Sequence, residues 1–424
     1  MFCQLDILRH CFPSSVRRIL DELPESLDET YERILRSIKK PNQKHAHRLL
    51  QCLVAAARPL GILELAEVLA FDFDAVDAEG IPEPKPDWSL NWEDQEEAIM
   101  SACSNLIIIV KDRHGRWIVQ FSHFSVKEFL TAKRLAEPIR DVSLYHIRLD
   151  AAHTILVRAC LAVLLRFKSG LTKDFLLATY AAECWSTHAQ FEDVSSRVKN
   201  AIRCLFDMDK PHFAIWLDIA QQIHFNPKTE FPLYYVACLG LRDAAEHIIS
   251  EHPEQTNATN RFNLTPLHAA AAEGHTDILS LLLKHGADIE ARGTHGETPL
   301  ILASMEGKLE AGRFLLDHGA DINPQMWSNF TPVHAAALKG HVEFARMLLA
   351  RGAAMDVRPQ LDPSQTPLTA AIKRGKAQIV RLLLEYGEDV NERDGLGKTP
   401  SEWASLYKQH EILEILSEYG AASV

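Results

Sequence analysis

In the second half of the chain the apolar residues fall in short triplets: Leu281-Leu282-Leu283, Phe314-Leu315-Leu316, Met347-Leu348-Leu349 and Leu382-Leu383-Leu384. Each triplet begins sixteen residues after the threonine of a Thr-Pro pair. Those pairs stand at 265–266, 298–299, 331–332, 366–367 and 399–400, with spacings of 33, 33, 35 and 33. Nine residues after the threonine comes Gly274, Gly307, Gly340 or Gly375, with Lys408 in that slot of the last unit. Twenty-one residues after it comes Gly286, Gly319, Gly352, Gly387 or Gly420. Such a unit predicts two short helices. Proline suits the first helical turn, threonine caps the free amides, the first glycine turns the chain back and the second supplies a left-handed cap. One unit cannot bury its apolar face alone, so the units must stack. A weaker unit precedes them, with Phe231-Pro232, Gly240 and Ile248-Ile249 in the corresponding slots, which makes six units over 231–424, the first and last atypical.

The first half has a different pattern. Leu27, Tyr31, Ile34 and Leu35 share one face of a helix within 23–35; a second helix is expected over His45–Arg58, stopped by Pro59, and a third over Ile62–Ala70. Pro82, Pro84 and Pro86 then impose an extended, exposed course. Glu96–Asn105 is predicted helical, and two β-rich runs, Leu106–Val110 and Trp117–Phe121, flank the turn Asp112-Arg113-His114-Gly115. Three helices closed by a two-stranded wing form a winged-helix pattern. Residues 141–230 are apolar and helical. The fold class is thus mainly α: a helical segment at 1–44, a winged helix at 45–140 with an insertion at 71–99, an α-helical linker at 141–230 and a solenoid at 231–424.

The segments TPLHAAAAEGHTDILSLLLKHGADIE (265–290) and TPVHAAALKGHVEFARMLLARGAA (331–354) resemble ankyrin repeats, a family of 33-residue units. LPESLDETYERIL (23–35) and FSHFSVKEFLTAKRL (121–135) resemble the winged helix that follows the nucleotide-binding core of NACHT-type (STAND) signalling ATPases. The nearest variety is the fungal one, whose ankyrin repeats follow a helical linker; the related winged helix is also named after GPI inositol-deacylases. That resemblance implies a core module carrying a P-loop and an acidic metal-binding motif. Neither motif is in this chain, so the expectation is that the chain begins after a missing NACHT ATPase module. It further implies that the histidine of F-x-H-x-S, here His123, contacts a bound diphosphate when such a core is supplied; otherwise His123 is a hydrogen-bonded residue ending a wing strand.

Charge and candidate chemistry narrow the function. The formal net charge is −12, from 57 acidic and 45 basic residues, which argues against a general nucleic-acid binder. Residues 71–99 alone hold ten acids and one base (Lys85), so most of the acidity reads as one solvated loop inside the winged helix. The expected recognition helix carries Glu96 and Glu97 and no Lys or Arg, so phosphates would repel it. The eight cysteines (Cys3, Cys11, Cys52, Cys103, Cys160, Cys184, Cys204 and Cys238) include no C-x-x-C pair. They point to reduced thiols and a cytoplasmic location, without a disulfide framework or zinc site. No apolar run approaches the roughly 20 residues of a membrane span, and the N-terminus lacks the features of a secretory signal.

Several motifs are decoys. Gly395-Leu396-Gly397-Lys398-Thr399 imitates the tail of a P-loop, yet Glu392 stands where the first glycine belongs. Six histidines (His268, His275, His285, His318, His334 and His341) occupy repeat slots, where ankyrin-like units bond them to backbone across the hairpin and next repeat. G-x-S-x-G is absent, and His410-Glu411-Ile412-Leu413-Glu414 lacks the second histidine of a zincin. No catalytic, metal or cofactor set is complete, so the expected function is non-enzymatic binding of protein partners, in intracellular signalling or recognition. The alternative is the regulatory half of a NACHT-type switch. The resemblance to ankyrin stacks places the contacts on hairpin tips and on the concave face of the inner helices. The hairpin candidates are Arg292, Thr294, His295, Trp327, Ser328, Phe330, Arg358 and Leu361; the inner-helix candidates are Met305, Glu306, Leu338, Lys339, Lys373 and Arg374. Trp327 and Phe330 are anchor candidates, since buried aromatics dominate interfaces; packing on the next hairpin is the equal alternative.

Overall fold

The computed structural model describes residues 26–85, 103, 105–137, 142–166, 176–222, 231–355, 357 and 366–422. Contacts divide the chain into two compact units, Met1–Pro227 and Lys228–Val424. Most of the helix expected at Glu96–Asn105 lies outside the described residues, as do 1–25, 86–99, Arg358 and Leu361.

The first unit opens with α1 (Leu27–Ser37), capped by Ser26, whose Oγ accepts from the Glu29 amide at 3.2 Å. Asp28 and Glu29 meet the positive end of its dipole. Helix α2 (Gln43–Ala55) ends before Arg58 because tertiary partners claim the expected last turn. The Ala57 amide donates to the Tyr180 hydroxyl at 3.1 Å, and the Arg58 guanidinium reaches Glu64 and Glu183. After Pro59 comes a two-residue strand β1 (Leu60–Gly61), then α3 (Ile62–Ala70), β2 (Phe71–Val76) and β3 (Pro82–Pro84). The wing strands are β4 (Ile107–Lys111) and β5 (Trp117–Phe121). The wing is three-stranded, in the order β1-β5-β4, rather than two-stranded. Leu60 pairs with Val119 in it, and a strand of two residues is too short to show a period.

The acidic insertion departs most from expectation. Over 71–84 it is no solvated loop: β2 and β3 pair antiparallel, and Phe71, Phe73, Ile81 and Pro82 are buried. The alternation Phe71-Asp72-Phe73-Asp74 has the period of two expected of a half-buried strand. The local excess of acid masks this period, because Asp72 and Asp74 alternate with the buried Phe71 and Phe73. Two arginines of the next long helix secure the turn. Arg158 donates through Nε and Nη2 to the Gly80 carbonyl at 3.0 and 2.8 Å, and Arg166 through Nη1 to the Pro82 carbonyl at 2.8 Å.

Helix α4 (Phe124–Thr131) follows the wing. Then α5 (Leu149–Arg166) runs through the middle of the unit, with Leu156, Val157 and every residue of 159–164 buried. Around it lie α6 (Ala178–Ala189), α7 (Val194–Arg197), α8 (Lys199–Leu205) and α9 (His212–Gln222). Trp185, Phe206, Phe213 and Trp216 form an aromatic cluster with ring centroids 5.6–6.0 Å apart. Three polar side chains inside this layer are joined in a chain, whereas the buried Trp185 Nε1 has no hydrogen-bond partner among the described residues. The Tyr180 hydroxyl bonds His188 Nε2 at 2.8 Å and His188 Nδ1 faces His153 Nδ1 at 2.9 Å. Burial drives the His188 pKa down to about 3. The thiols of Cys52, Cys103, Cys160 and Cys184 are buried and free, and burial raises each of their pKa values.

The second unit is a stack of helix pairs. The inner helices are α10 (Pro232–Cys238), α12 (Pro266–Glu273), α14 (Pro299–Met305), α16 (Pro332–Lys339), α18 (Pro367–Lys373) and α20 (Pro400–Leu406), each packed on the next. Their partners are α11 (Arg242–Glu251), α13 (Thr276–Lys284), α15 (Leu309–Asp317), α17 (Val342–Ala350), α19 (Ala377–Glu385) and α21 (His410–Glu418). Every Thr of a Thr-Pro pair is an N-cap in extended conformation with Pro at the first helical position, as expected. The residue three beyond the threonine completes the cap by different chemistry in different units. His268 Nδ1 accepts from the Thr265 amide at 3.1 Å, Thr369 meets Thr366, and the Glu402 carboxylate accepts from the Thr399 amide at 3.0 Å.

The ninth-position glycines are required twice over. Gly307 has φ +67°, and a Cβ there would lie 2.5 Å from the ring of His341. Gly240 stands in the same relation to His275. A ladder of hydrogen bonds at a spacing of thirty-one residues ties four of the five successive pairs of units. Asn257 Oδ1 accepts from the Asp288 amide (2.9 Å), Glu290 Oε1 from Asp321 (2.8 Å), Asn323 Oδ1 from Ala354 (2.9 Å) and Asn391 Oδ1 from Ala422 (2.8 Å).

Candidate interaction surface of the repeats

Inner helices packed each on the next, with this ladder beside them, hold the six units in one register, so equivalent positions form rows along the stack. Two rows are open to solvent. The first lies at the hairpin tips, where Thr294 N–H donates to the Phe262 carbonyl and Trp327 N–H to the His295 carbonyl, both at 2.7 Å. Consecutive tips are thereby joined by backbone, and their side chains project side by side. Trp327 is 60% exposed and meets His295 edge-on at 4.6 Å between ring centroids. Phe262 and Leu396, on the first and last of the described hairpins, are 47% and 62% exposed. Neither was a sequence candidate, although both fall on the same repeat frame as His295.

Of the hairpin candidates, Thr294, His295 and Trp327 stand in this row. Arg292 is exposed, but its Nη1 donates to the Gln325 carbonyl at 2.9 Å, so it also braces the neighbouring hairpin. Phe330 turns inward: it is half-buried, with its ring 5.1 Å from that of His334. The side chain of Ser328 lies outside the described residues, as do Arg358 and Leu361.

The second row lies at the C-terminal ends of the inner helices. The residues before the turning position are Leu239, Glu273, Glu306, Lys339, Arg374 and Tyr407. All but Leu239 are exposed. Beside them run half-buried Ala272, Met305, Leu338 and Lys373, then exposed Leu406. Lys373 Nζ lies 4.2 Å from the Trp403 ring centroid, a cation–π contact. All six inner-helix candidates therefore fall in one band.

The repeat histidines do several structural tasks. His268 Nε2 donates to the Glu297 carbonyl of the following hairpin at 3.0 Å, and burial lowers its pKa. His275 and His341 reach backward instead, to the carbonyls of Cys238 (3.0 Å) and Met305 (3.1 Å) in the preceding units. His318 makes neither bond: its Nδ1 is 2.8 Å from the Phe314 carbonyl of its own helix. Among the described residues no group of three or more His, Cys, Asp or Glu side chains could hold a metal ion. No described helix is long and apolar enough to cross a membrane. The P-loop decoy is a hairpin in which the amides of Leu396, Gly397, Lys398 and Thr399 are already taken. Asp394 Oδ1 accepts from Leu396 N–H (2.8 Å) and Lys398 N–H (3.0 Å), so these donors do not converge on a phosphate.

In the first unit His123 caps α4, its Nδ1 accepting from the Ser125 amide at 3.3 Å and bonding the Ser125 hydroxyl at 2.6 Å. That hydroxyl is 2.8 Å from the Tyr31 hydroxyl, so His123 is linked to α1 through Ser125. His123 remains exposed, and the adjacent Phe124 is 71% exposed.

Comparison with known proteins gives two family matches. Ankyrin repeats match over 212–293, 233–326, 292–360 and 334–423, together half of the chain. The first match starts inside α9, whereas α9 packs in the first unit through Trp216, whose Nε1 donates to the Ala182 carbonyl at 3.1 Å. Its beginning thus overlaps the last helix before the stack. The GPI inositol-deacylase winged helix domain matches over 31–139. The azaphilone pigments biosynthesis cluster protein L of the fungus Monascus ruber is 30% identical over 302 residues, covering 64% of this chain and 61% of that protein. Shorter similarities reach alpha-latrocrustotoxin-Lt1a of Latrodectus tredecimguttatus (37% over 62 residues, 15% of this chain and 4% of that one) and BCL-6 corepressor-like protein 1 of Mus musculus (36% over 64 residues, 15% and 4%).

Proposed function

For a chain that belongs to the ankyrin-repeat family and carries a GPI inositol-deacylase-type winged helix domain, we propose a non-enzymatic role as a protein-binding scaffold. The stack takes its partner on the hairpin-tip and inner-helix rows, in the cytoplasm and as part of intracellular signalling or recognition. One observation carries this reading: hydrogen bonds hold successive units in one frame, while the side chains of the two exposed rows change chemistry from unit to unit. A preformed surface of that kind loses little conformational entropy when it binds. The test is affinity capture with the full chain beside the variant Phe262→Ser/Trp327→Ala/Leu338→Glu. Proteins retained by the former and lost from the latter support the reading. Identical captured sets, or hydrolysis of ATP or of an ester by the purified chain, overturn it.

A second reading is favoured by the exposed His123–Phe124 pair at the start of α4. In the NACHT-type arrangement that the winged helix resembles, the chain is the regulatory half of an ATP-driven switch, and this edge faces the nucleotide-binding module. The coding sequence upstream of Met1 decides it: an in-frame P-loop supports the switch, and its absence removes it.

A further inference from the structure

The inner-helix row changes sign half-way along. Glu273 and Glu306 occupy the position before the turning glycine in two successive units, and Lys339 and Arg374 occupy it in the next two. All four are exposed, and none takes part in an ion pair among the described residues. The basic half is reinforced by Lys373, Lys376 and Lys408; in the acidic half one cation, Lys308, lies over Gly274. Between the halves Met305 and Leu338 form a half-buried apolar step. The two bases sit where a helix dipole favours them, at C-terminal ends. The two acids sit at the same ends, against the dipole, a placement that typically costs about 0.3–1 kcal/mol each. Among the described residues no ion pair or capped amide offsets that cost for either carboxylate.

We infer that this band binds an amphipathic helix of a partner protein, with the basic C-terminal half of that helix on α12 and α14 and its acidic N-terminal half on α16 and α18. The inference rests on the protein-binding reading of the stack and specifies the occupant. Packed helices lie about 8–10 Å apart, so the four charges span roughly 30 Å, the length of about twenty helical residues. An α-helix returns to the same face after seven residues, about 10.5 Å, and so keeps step with successive units. An extended strand returns every ~6.6 Å and falls out of step. A helix with acids near its N-terminus and bases near its C-terminus is also the arrangement its own dipole favours, which sets the direction.

The experiment uses two synthetic 24-residue helical peptides of identical composition, one with Glu, Glu, Lys and Lys at seven-residue intervals from the N-terminus and one with the order reversed. Both carry Leu at the facing intermediate positions. Fluorescence anisotropy with the full chain at low salt should show the first binding at least tenfold more tightly, and the preference should shrink at 0.5 M salt. The variant Glu273→Lys/Glu306→Lys/Lys339→Glu/Arg374→Glu, all exposed positions, should melt at the same temperature and reverse the preference. Equal affinities, no binding of either peptide, or a preference that survives the charge swap overturns the inference. If proteins captured by the full chain depend on Trp327 but persist through the charge swap, the scaffold reading stands and only this occupant is wrong.

Discussion

The contact between successive repeats can be measured at one glycine. In Gly307→Ala two penalties combine. The first is a left-handed backbone at φ +67°, which costs a non-glycine residue about 1–2 kcal/mol. The second is steric: the new methyl would stand 2.5 Å from His341 Nδ1, so the imidazole must leave. It then gives up the 3.1 Å hydrogen bond from His341 Nε2 to the Met305 carbonyl, worth about 0.5–1.5 kcal/mol net and more if the carbonyl is left without a partner. The single substitution should therefore cost about 2–4 kcal/mol. In a His341→Ala background the clash and the bond are both gone, so Gly307→Ala should cost only the backbone term. The coupling in the double-mutant cycle is then about 1–2 kcal/mol. Gly319→Ala is the control, because Gly319 also has a positive φ, +91°, but a Cβ there meets nothing within 4 Å. The assay is urea denaturation followed by circular dichroism, with the midpoints compared at equal slope. Additivity of Gly307→Ala and His341→Ala within about 0.5 kcal/mol would refute the steric account.

Asn323→Ala removes the acceptor of the Ala354 amide and should destabilise the stack by about 1 kcal/mol, with hydrogen exchange accelerated first at that amide; unchanged exchange there would deny the ladder its role. Arg158→Ala frees the Gly80 carbonyl and should loosen the β2–β3 hairpin, seen as proteolytic cleavage within 74–81; an unchanged cleavage pattern would return that segment to a solvated loop. Stability should fall on acidification from pH 6.5 to 5. Burial holds His188 at about 3 and His47 at about 4, below the unfolded value of 6.5, so across this window the unfolded chain binds more protons at both sites. Glu67, pushed up by burial to about 7, opposes them between its unfolded 4.5 and 7. Two histidines against one carboxyl leave a net loss of about 1–2 kcal/mol, and a flat profile of urea midpoint against pH would contradict it. Finally, Cys52, Cys103 and Cys160, all fully or nearly buried with raised pKa values, should react with a thiol reagent only after unfolding; rapid labelling in the native protein would show that the first unit opens readily.

The repeats were legible because their signals are local and recur. Thr-Pro caps its own helix, each glycine sets its own turn, and the apolar triplets keep a fixed distance from both. Five repetitions made that frame unmistakable, and the boundaries of α3 and β5 likewise followed from a breaker or a period within a few residues. What escaped were features whose cause is far away in sequence. Strand β1 exists because Leu60 finds Val119, α2 ends early because Ala57 finds Tyr180, and the acidic segment folds because Arg158 and Arg166 reach back across some eighty residues to its carbonyls.

The same division holds for the interaction surface. Sequence alone placed the residues of the hairpins and inner helices, because the repeat length assigns every residue a slot. Only the tertiary structure decided which aromatic faces solvent: Trp327 remains 60% exposed, while Phe330 packs against His334. Only stacking turned Glu273, Glu306, Lys339 and Arg374, each at the end of its own helix, into a single row of changing sign. Short-range hydrogen bonding and chain entropy act within a unit and can be read from it. Exposure and charge order depend on which units lie side by side, and that is settled only when their apolar faces close on one another.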